Sequence, residues 1–301
     1  MAYLSRPEGT EPQDFHLSRR MLGGLMFAGY TLAAGPLRAD PIKTDTNGLF
    51  AQAVEIPSHG VKLPGYLAMP ADAKKRPVVV VVSEIFGLHE YIRDVCRRLA
   101  HQGYVAIAPD FFARAGNPAA LTMQQMQEIQ KIVATATDKQ VMGDIDAALD
   151  FLASKPKLGQ AHADFADMSR VGVTGFCWGG GVVWMAMAEV KRIKTGVAWY
   201  GRLSGPPADK RVEDRKYPLE LVAQIHGPVL GLYAGLDKGI PQTDVQAMRD
   251  ALKAKGDKVS ELVTYGDAQH GFHADYRAAT YNQKDAEDGW KRLGAWFKAH
   301  L

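Results

Sequence analysis

Cysteine is scarce in this sequence: 301 residues hold two, Cys96 and Cys177. That excludes a fold stapled by a disulfide framework and leaves at most one bridge. Charge of one sign is lacking too, since 36 Lys and Arg face 33 Asp and Glu for a net +3. The one tight basic run, Lys74-Lys75-Arg76, abuts Pro77 in a turn-like setting. No stripe of positive charge marks a nucleic-acid surface, so no nucleic-acid partner is expected. Long apolar runs are missing after residue 40, which excludes a membrane span there. No internal repeat or low-complexity tract interrupts residues 41–301. What remains is 47% hydrophobic residues, ample for a large soluble core.

Residues 1–39 differ from the rest. A polar start leads to Arg19-Arg20, then an apolar run from Met21 to Ala34, then Gly35-Pro36-Leu37-Arg38-Ala39. A charged segment, a short apolar segment and a small-residue exit form a secretory signal. The apolar run is shorter than the about 20 residues a spanning helix needs. The adjacent arginines resemble a twin-arginine export address. Cleavage after Ala39 is expected, leaving residues 40–301 as one domain in the periplasm or outside the cell. A cytoplasmic protein with an ordered N-terminal helix is the alternative.

Beyond residue 40, strand-like and helix-like stretches alternate. Ala51–Ile56 and Gly65–Met69 flank a turn at His59-Gly60. Val78–Val82 is an unbroken β-branched run, as a strand buried on both faces should be. Tyr104–Ala108, Val171–Thr174, Gly196–Trp199, Val229–Ala234 and Val259–Thr264 are further strands. Tyr91–Gln102, Thr122–Ala136, Lys139–Ser154, Gly180–Val190, Thr243–Lys255 and Gln283–His300 carry helical periodicity. Alternation of this kind predicts an α/β fold, a mostly parallel sheet with helices on both faces.

One strand-to-helix turn carries chemistry. Val171–Thr174 runs into Gly175-Phe176-Cys177-Trp178-Gly179-Gly180 before a helix starts. This is the nucleophile-elbow pattern of α/β-hydrolases with cysteine at its apex. Side-chain-free neighbours let strand and helix approach, and the sulfur sits at a helix N-terminus, which favours thiolate. The Trp178 N–H then faces the place where an oxyanion would form. Cys96, on the apolar face of Tyr91–Gln102, reads instead as a small buried hydrophobe.

An acid and a histidine should follow on later loops, in that order. Asp237 follows strand Val229–Ala234, and His270 follows strand Val259–Thr264. Asp267 and His273 are their nearest rivals. Gly271 favours His270, because it leaves room at a crowded site. The loop after Val78–Val82 begins Ser83-Glu84-Ile85, and the Ile85 N–H suits a second oxyanion donor. Glu84 stands at the end of a central strand, where a carboxylate needs a partner. No metal site is expected, as no third ligand accompanies His270 and His273, and no cofactor is called for.

These residues resemble the dienelactone hydrolase (carboxymethylenebutenolidase) family. The matching pieces are Glu84-Ile-Phe-Gly-Leu88, Ala108-Pro-Asp-Phe-Phe-Ala-Arg114, Gly175-Phe-Cys-Trp-Gly-Gly180, Trp199-Tyr-Gly201, Ala234-Gly-Leu-Asp237 and His270-Gly-Phe272. The resemblance implies Cys177, Asp237 and His270 as a triad and Glu84 as the resting partner of the cysteine or histidine. It implies that Arg114 contacts a substrate carboxylate and that Tyr200 lines the pocket. The family's second carboxylate-binding arginine, four residues after the histidine, is Ala274 here, with Arg277 as the nearest substitute. The expected activity is hydrolysis of a small, anionic ester or lactone through a thioester. A general carboxylesterase and a non-catalytic ligand-binding protein are the alternatives. A monomer with a small-molecule partner and no lasting membrane association completes the expectation.

Overall fold

The structure, a computed structural model, describes residues 41–72, 74–158, 164–206 and 215–301. The expected signal segment lies outside them. Eight strands form one sheet: β1 (Leu49–Ser58), β2 (Val61–Pro70), β3 (Arg76–Val82), β4 (Val105–Pro109), β5 (Ala166–Phe176), β6 (Thr195–Trp199), β7 (Val229–Ala234) and β8 (Glu261–Tyr265). Their order is β1-β2-β4-β3-β5-β6-β7-β8. β1 and β2 make an antiparallel edge hairpin, turned by His59 and Gly60 with positive φ. From β4 onward the pairings are parallel.

The helices are α1 (Glu90–His101), α2 (Met126–Ala134), α3 (Asp138–Ala153), α4 (Trp178–Glu189), α5 (Gln242–Lys255) and α6 (Gln283–His300). The central strands are covered on both faces, so every residue of Val78–Val82 is fully buried and the run shows no alternation. α4 packs on β5 and β6, and nearly all of its residues are buried.

β1 and β2 extend beyond the expected bounds at both ends, and three further elements differ for reasons the structure shows. The segment from Thr122 opens as a 3-10 turn at Met123–Gln125, closed by a Thr122/Gln125 capping box, and only Met126–Ala134 is α-helical. β5 starts earlier, at Ala166, because polar Asp167, Ser169 and Arg170 occupy its exposed beginning. β8 starts later, at Glu261, because Asp257 accepts hydrogen bonds from the N–H groups of Val259 and Ser260 and turns the chain there.

Before β1, residues 42–45 cross α1 as a strap. Asp94, buried on α1, accepts from the Thr44 N–H at 2.6 Å, and Arg97 Nε donates to the Thr44 carbonyl at 2.9 Å. The Ile42 main-chain N–H lies against the buried Asp275 carboxylate, which also pairs with Arg98. Among the described residues no helix is long and apolar enough to cross a membrane.

Candidate active site

The site stands at the carboxyl ends of the parallel strands, where loops leave β3, β5, β6, β7 and β8. Cys177 closes β5 and caps α4 with φ 57° and ψ −116°, a conformation a non-glycine residue adopts only when its surroundings impose it. Its N–H is held by the Trp199 carbonyl at 3.0 Å. Gly179 explains the tightness of the turn: a Cβ there would sit 2.4 Å from the Val82 carbonyl oxygen. The elbow is thus pressed onto the end of β3, which brings Glu84 and Ile85 beside it. Trp178 opens α4, so its N–H has no acceptor within the helix. Ile85, the second expected oxyanion donor, is buried in the turn that follows β3.

The loops after β7 and β8 bring Asp237 and His270 together. Nδ1–H of His270 donates to Asp237 Oδ2 at 2.7 Å, with both side chains buried. Asp237 Oδ1 is fixed by the N–H groups of Gly239 and Ile240 at 2.8 and 3.2 Å. Burial favours a neutral His270 ring. The negative charges of Asp237 and Cys177, with hydrogen bonds to both, outweigh it and raise the histidine to about 10. Gly271 follows with φ 80°, and a Cβ there would meet Arg277 at 3.1 Å.

The rivals fall elsewhere. Asp267 is exposed. His273 is buried among Phe176, Trp199 and Trp290, bonded through Nδ1 to the Tyr91 hydroxyl at 2.7 Å. Burial and the charge of Arg98 hold it well below 6.5, so it stays neutral. Both cysteines are free thiols, and burial pushes the Cys96 thiol far up.

Two expectations need correction. Arg114 does not present its fork to a substrate. Nη1 and Nη2 bind the fully buried Asp144 of α3 at 2.8 and 2.9 Å, and Nη2 also reaches the Ser58 carbonyl. A buried carboxylate without a counter-charge is costly, and Asp144 claims the nearest guanidinium. Glu84, in turn, is paired with neither Cys177 nor His270. Its Oε2 accepts from the Tyr276 hydroxyl and faces His89 Nε2 at 3.5 Å. Burial alone would raise its pKa. The hydrogen bond and charge of His89, the charge of Arg277 and the Tyr276 hydrogen bond reverse that and hold it below the ordinary carboxylate value. Sequence reading missed His89 and Tyr276. The signal available was the buried position of Glu84 itself, which demanded partners without saying which.

Tyr200 has a φ of 37° and its ring meets that of His270 edge-on at 5.2 Å. Trp178, Phe111 and Phe112 add an aromatic wall, with Phe112 and Trp178 4.9 Å apart. Among the described residues, no group of three or more His, Cys, Asp or Glu could hold a metal ion.

The family model described as the dienelactone hydrolase family matches residues 63–301. The chain belongs to the dienelactone hydrolase family. Relatives in that family share most of its length. A "Putative carboxymethylenebutenolidase" of Methylorubrum extorquens is 45% identical over 286 residues, 94% of each chain. One of the same name from Escherichia coli K12 is 40% identical, over 91% of this chain and 96% of its own. The crystal structure of a "Putative Dienelactone Hydrolase" from Klebsiella pneumoniae superposes with a TM-score of 0.75 at 41% identity, covering 83% of this chain and 98% of its own. The protein is therefore a hydrolase with the α/β-hydrolase fold, of a family whose substrates are small molecules.

Proposed function

We propose that this dienelactone hydrolase family member cleaves small esters or lactones through a thioester on Cys177. The observation that carries the reading is the Asp237–His270 hydrogen bond of 2.7 Å beside a cysteine held at a nucleophile elbow. His270 takes the proton of the Cys177 thiol, and the resulting imidazolium balances the thiolate. The sulfur attacks the carbonyl carbon, and the N–H groups of Ile85 and Trp178 receive the negative oxygen. His270 gives its proton to the departing alkoxide or enolate. Acylation removes the charge of Cys177, one of the causes of the raised histidine, and the ring can then accept a proton from water. That water attacks the thioester, and the thiolate returns to its pairing with protonated His270.

An anionic substrate group would not be met by Arg114, whose fork is taken by Asp144. The engagement of Arg114 with Asp144 favours a second reading, a general carboxylesterase indifferent to substrate charge. Purified residues 40–301 assayed with a dienelactone, a neutral aryl ester and its carboxylated analogue decide between them. Similar turnover of the neutral ester and its carboxylated analogue supports the general esterase. Full activity in Cys177→Ala sinks the mechanism. We also propose export through the Arg19-Arg20 address. If wild type and the Arg19→Lys/Arg20→Lys variant both stay cytoplasmic at full length, export is wrong.

A further inference from the structure

Glu84 is fully buried, and its two oxygens are treated differently. Oε2 takes the Tyr276 hydroxyl and faces His89, while Oε1, also without solvent contact, has no donor in the protein. A buried carboxylate oxygen left in that state is unfavourable, because desolvation is not repaid by a hydrogen bond. Glu84 could relieve this by becoming a neutral acid, but His89, Arg277 and Tyr276 hold it charged.

The location makes the open oxygen informative. Glu84 is two residues beyond Val82, whose carbonyl is pressed against Gly179 of the elbow. Ser83, the residue before Glu84, is pressed against the elbow as well, its carbonyl oxygen 2.6 Å from where a Gly179 Cβ would stand. The clamp on Oε2 also matters. The Tyr276 hydroxyl holds Oε2 from the loop after β8, and His89 faces the same oxygen from the start of α1.

Resting on the esterase reading above, we propose that Glu84 Oε1 is a specificity site that accepts a hydrogen bond from a hydroxyl carried by the substrate near its scissile carbonyl. The preferred substrates are then hydroxylated esters or lactones. A substrate that lacks the donor leaves the carboxylate oxygen buried and unpaired, which is how a polar site rejects a close analogue.

The test uses aryl esters of propanoate, 2-hydroxypropanoate and 3-hydroxypropanoate, and the two matching methoxy compounds, each rate divided by its uncatalysed hydrolysis rate. The wild-type enzyme should prefer at least one hydroxy ester to propanoate by about tenfold or more in kcat/KM. The matching methoxy ester, which cannot donate, should lose that advantage. Glu84→Gln should shrink the hydroxy-to-parent ratio several-fold, a change that a general loss of folded enzyme would not produce. Equal rates for hydroxy and parent esters, or for hydroxy and methoxy esters, overturn the subsite without needing any variant. A ratio unmoved in folded Glu84→Gln overturns it as well. Absence of turnover on every ester would instead remove the esterase reading on which the subsite rests.

Discussion

His270 and His273 share the loop after β8, are both buried, and are driven to opposite charge states. His270 faces two negative groups, Asp237 and Cys177, and is raised to about 10. His273 faces a cation, Arg98, and a ring of aromatics, and is held well below 6.5. Burial works against charge in both. The sign of the nearest full charge decides the outcome, so one loop carries the candidate catalytic histidine and a packing histidine within a single turn. The contrast also teaches that burial alone does not mark a functional histidine.

Removing His270 should have the largest effect. His270→Ala should lower kcat/KM for an aryl ester by about a thousandfold or more per folded molecule, a loss far larger than stranding Asp237 explains through stability, because a triad member would act only with its partners. His273→Ala should do the reverse. It opens a cavity among Phe176, Trp199 and Trp290 and strands the Tyr91 hydroxyl, costing about 3 kcal/mol in denaturant unfolding. Comparable activity losses per folded molecule in the two variants would erase the distinction.

Arg114→Met extends the contrast to an ion pair that serves the fold. It should cost about 2 kcal/mol by stranding Asp144, the partial exposure of Arg114 moderating the loss, and should reduce anionic and neutral substrates equally. Selective loss of anionic substrates would return Arg114 to the site.

The pH dependence separates the histidines most finely. His270 is raised above its unfolded value, so its contribution to stability is complete below about 6.5 and is lost as pH rises through about 10. His273 is depressed, so its contribution is complete above about 6.5 and is lost as pH falls below it. Chemical unfolding followed from pH 5 to 10.5 should show acid-side weakening blunted in His273→Phe and alkaline weakening blunted in His270→Ala. The reverse pattern would mean the charge assignments are exchanged.

Much of this was legible in the sequence. Strand β7 and helix α6 carry patterns so regular that their bounds coincide with expectation at Val229–Ala234 and Gln283–His300. Cys177, Asp237 and His270 could be named because each follows a recognisable strand, and a glycine-lined elbow admits few alternatives. What escaped were pairings between distant segments. Asp144 is an unremarkable acid on an amphipathic helix until folding lays it against Arg114. Tyr276 lies 192 residues from Glu84 and meets it only through the sheet order. Local pattern records which face of an element is buried, and it does not record which charge will be waiting there. The early start of β5 was hidden for a related reason, since its first turns are polar and exposed.

The strap over α1 sets a boundary for any enzyme that trims this chain. A cut after Ala39 would leave Ile42 and Thr44 in place on Asp275 and Asp94. A cut a few bonds later would take the main chain of Ile42 and Thr44 away from two buried acids, leaving Asp94 to Arg97 and Arg98 and Asp275 to Arg98 alone, the latter acid next in sequence to the tyrosine that bonds Glu84. If the chain is trimmed here, helix α1 sets how far a cut can run before the loop carrying Asp275 and Tyr276 rests on Arg98 alone.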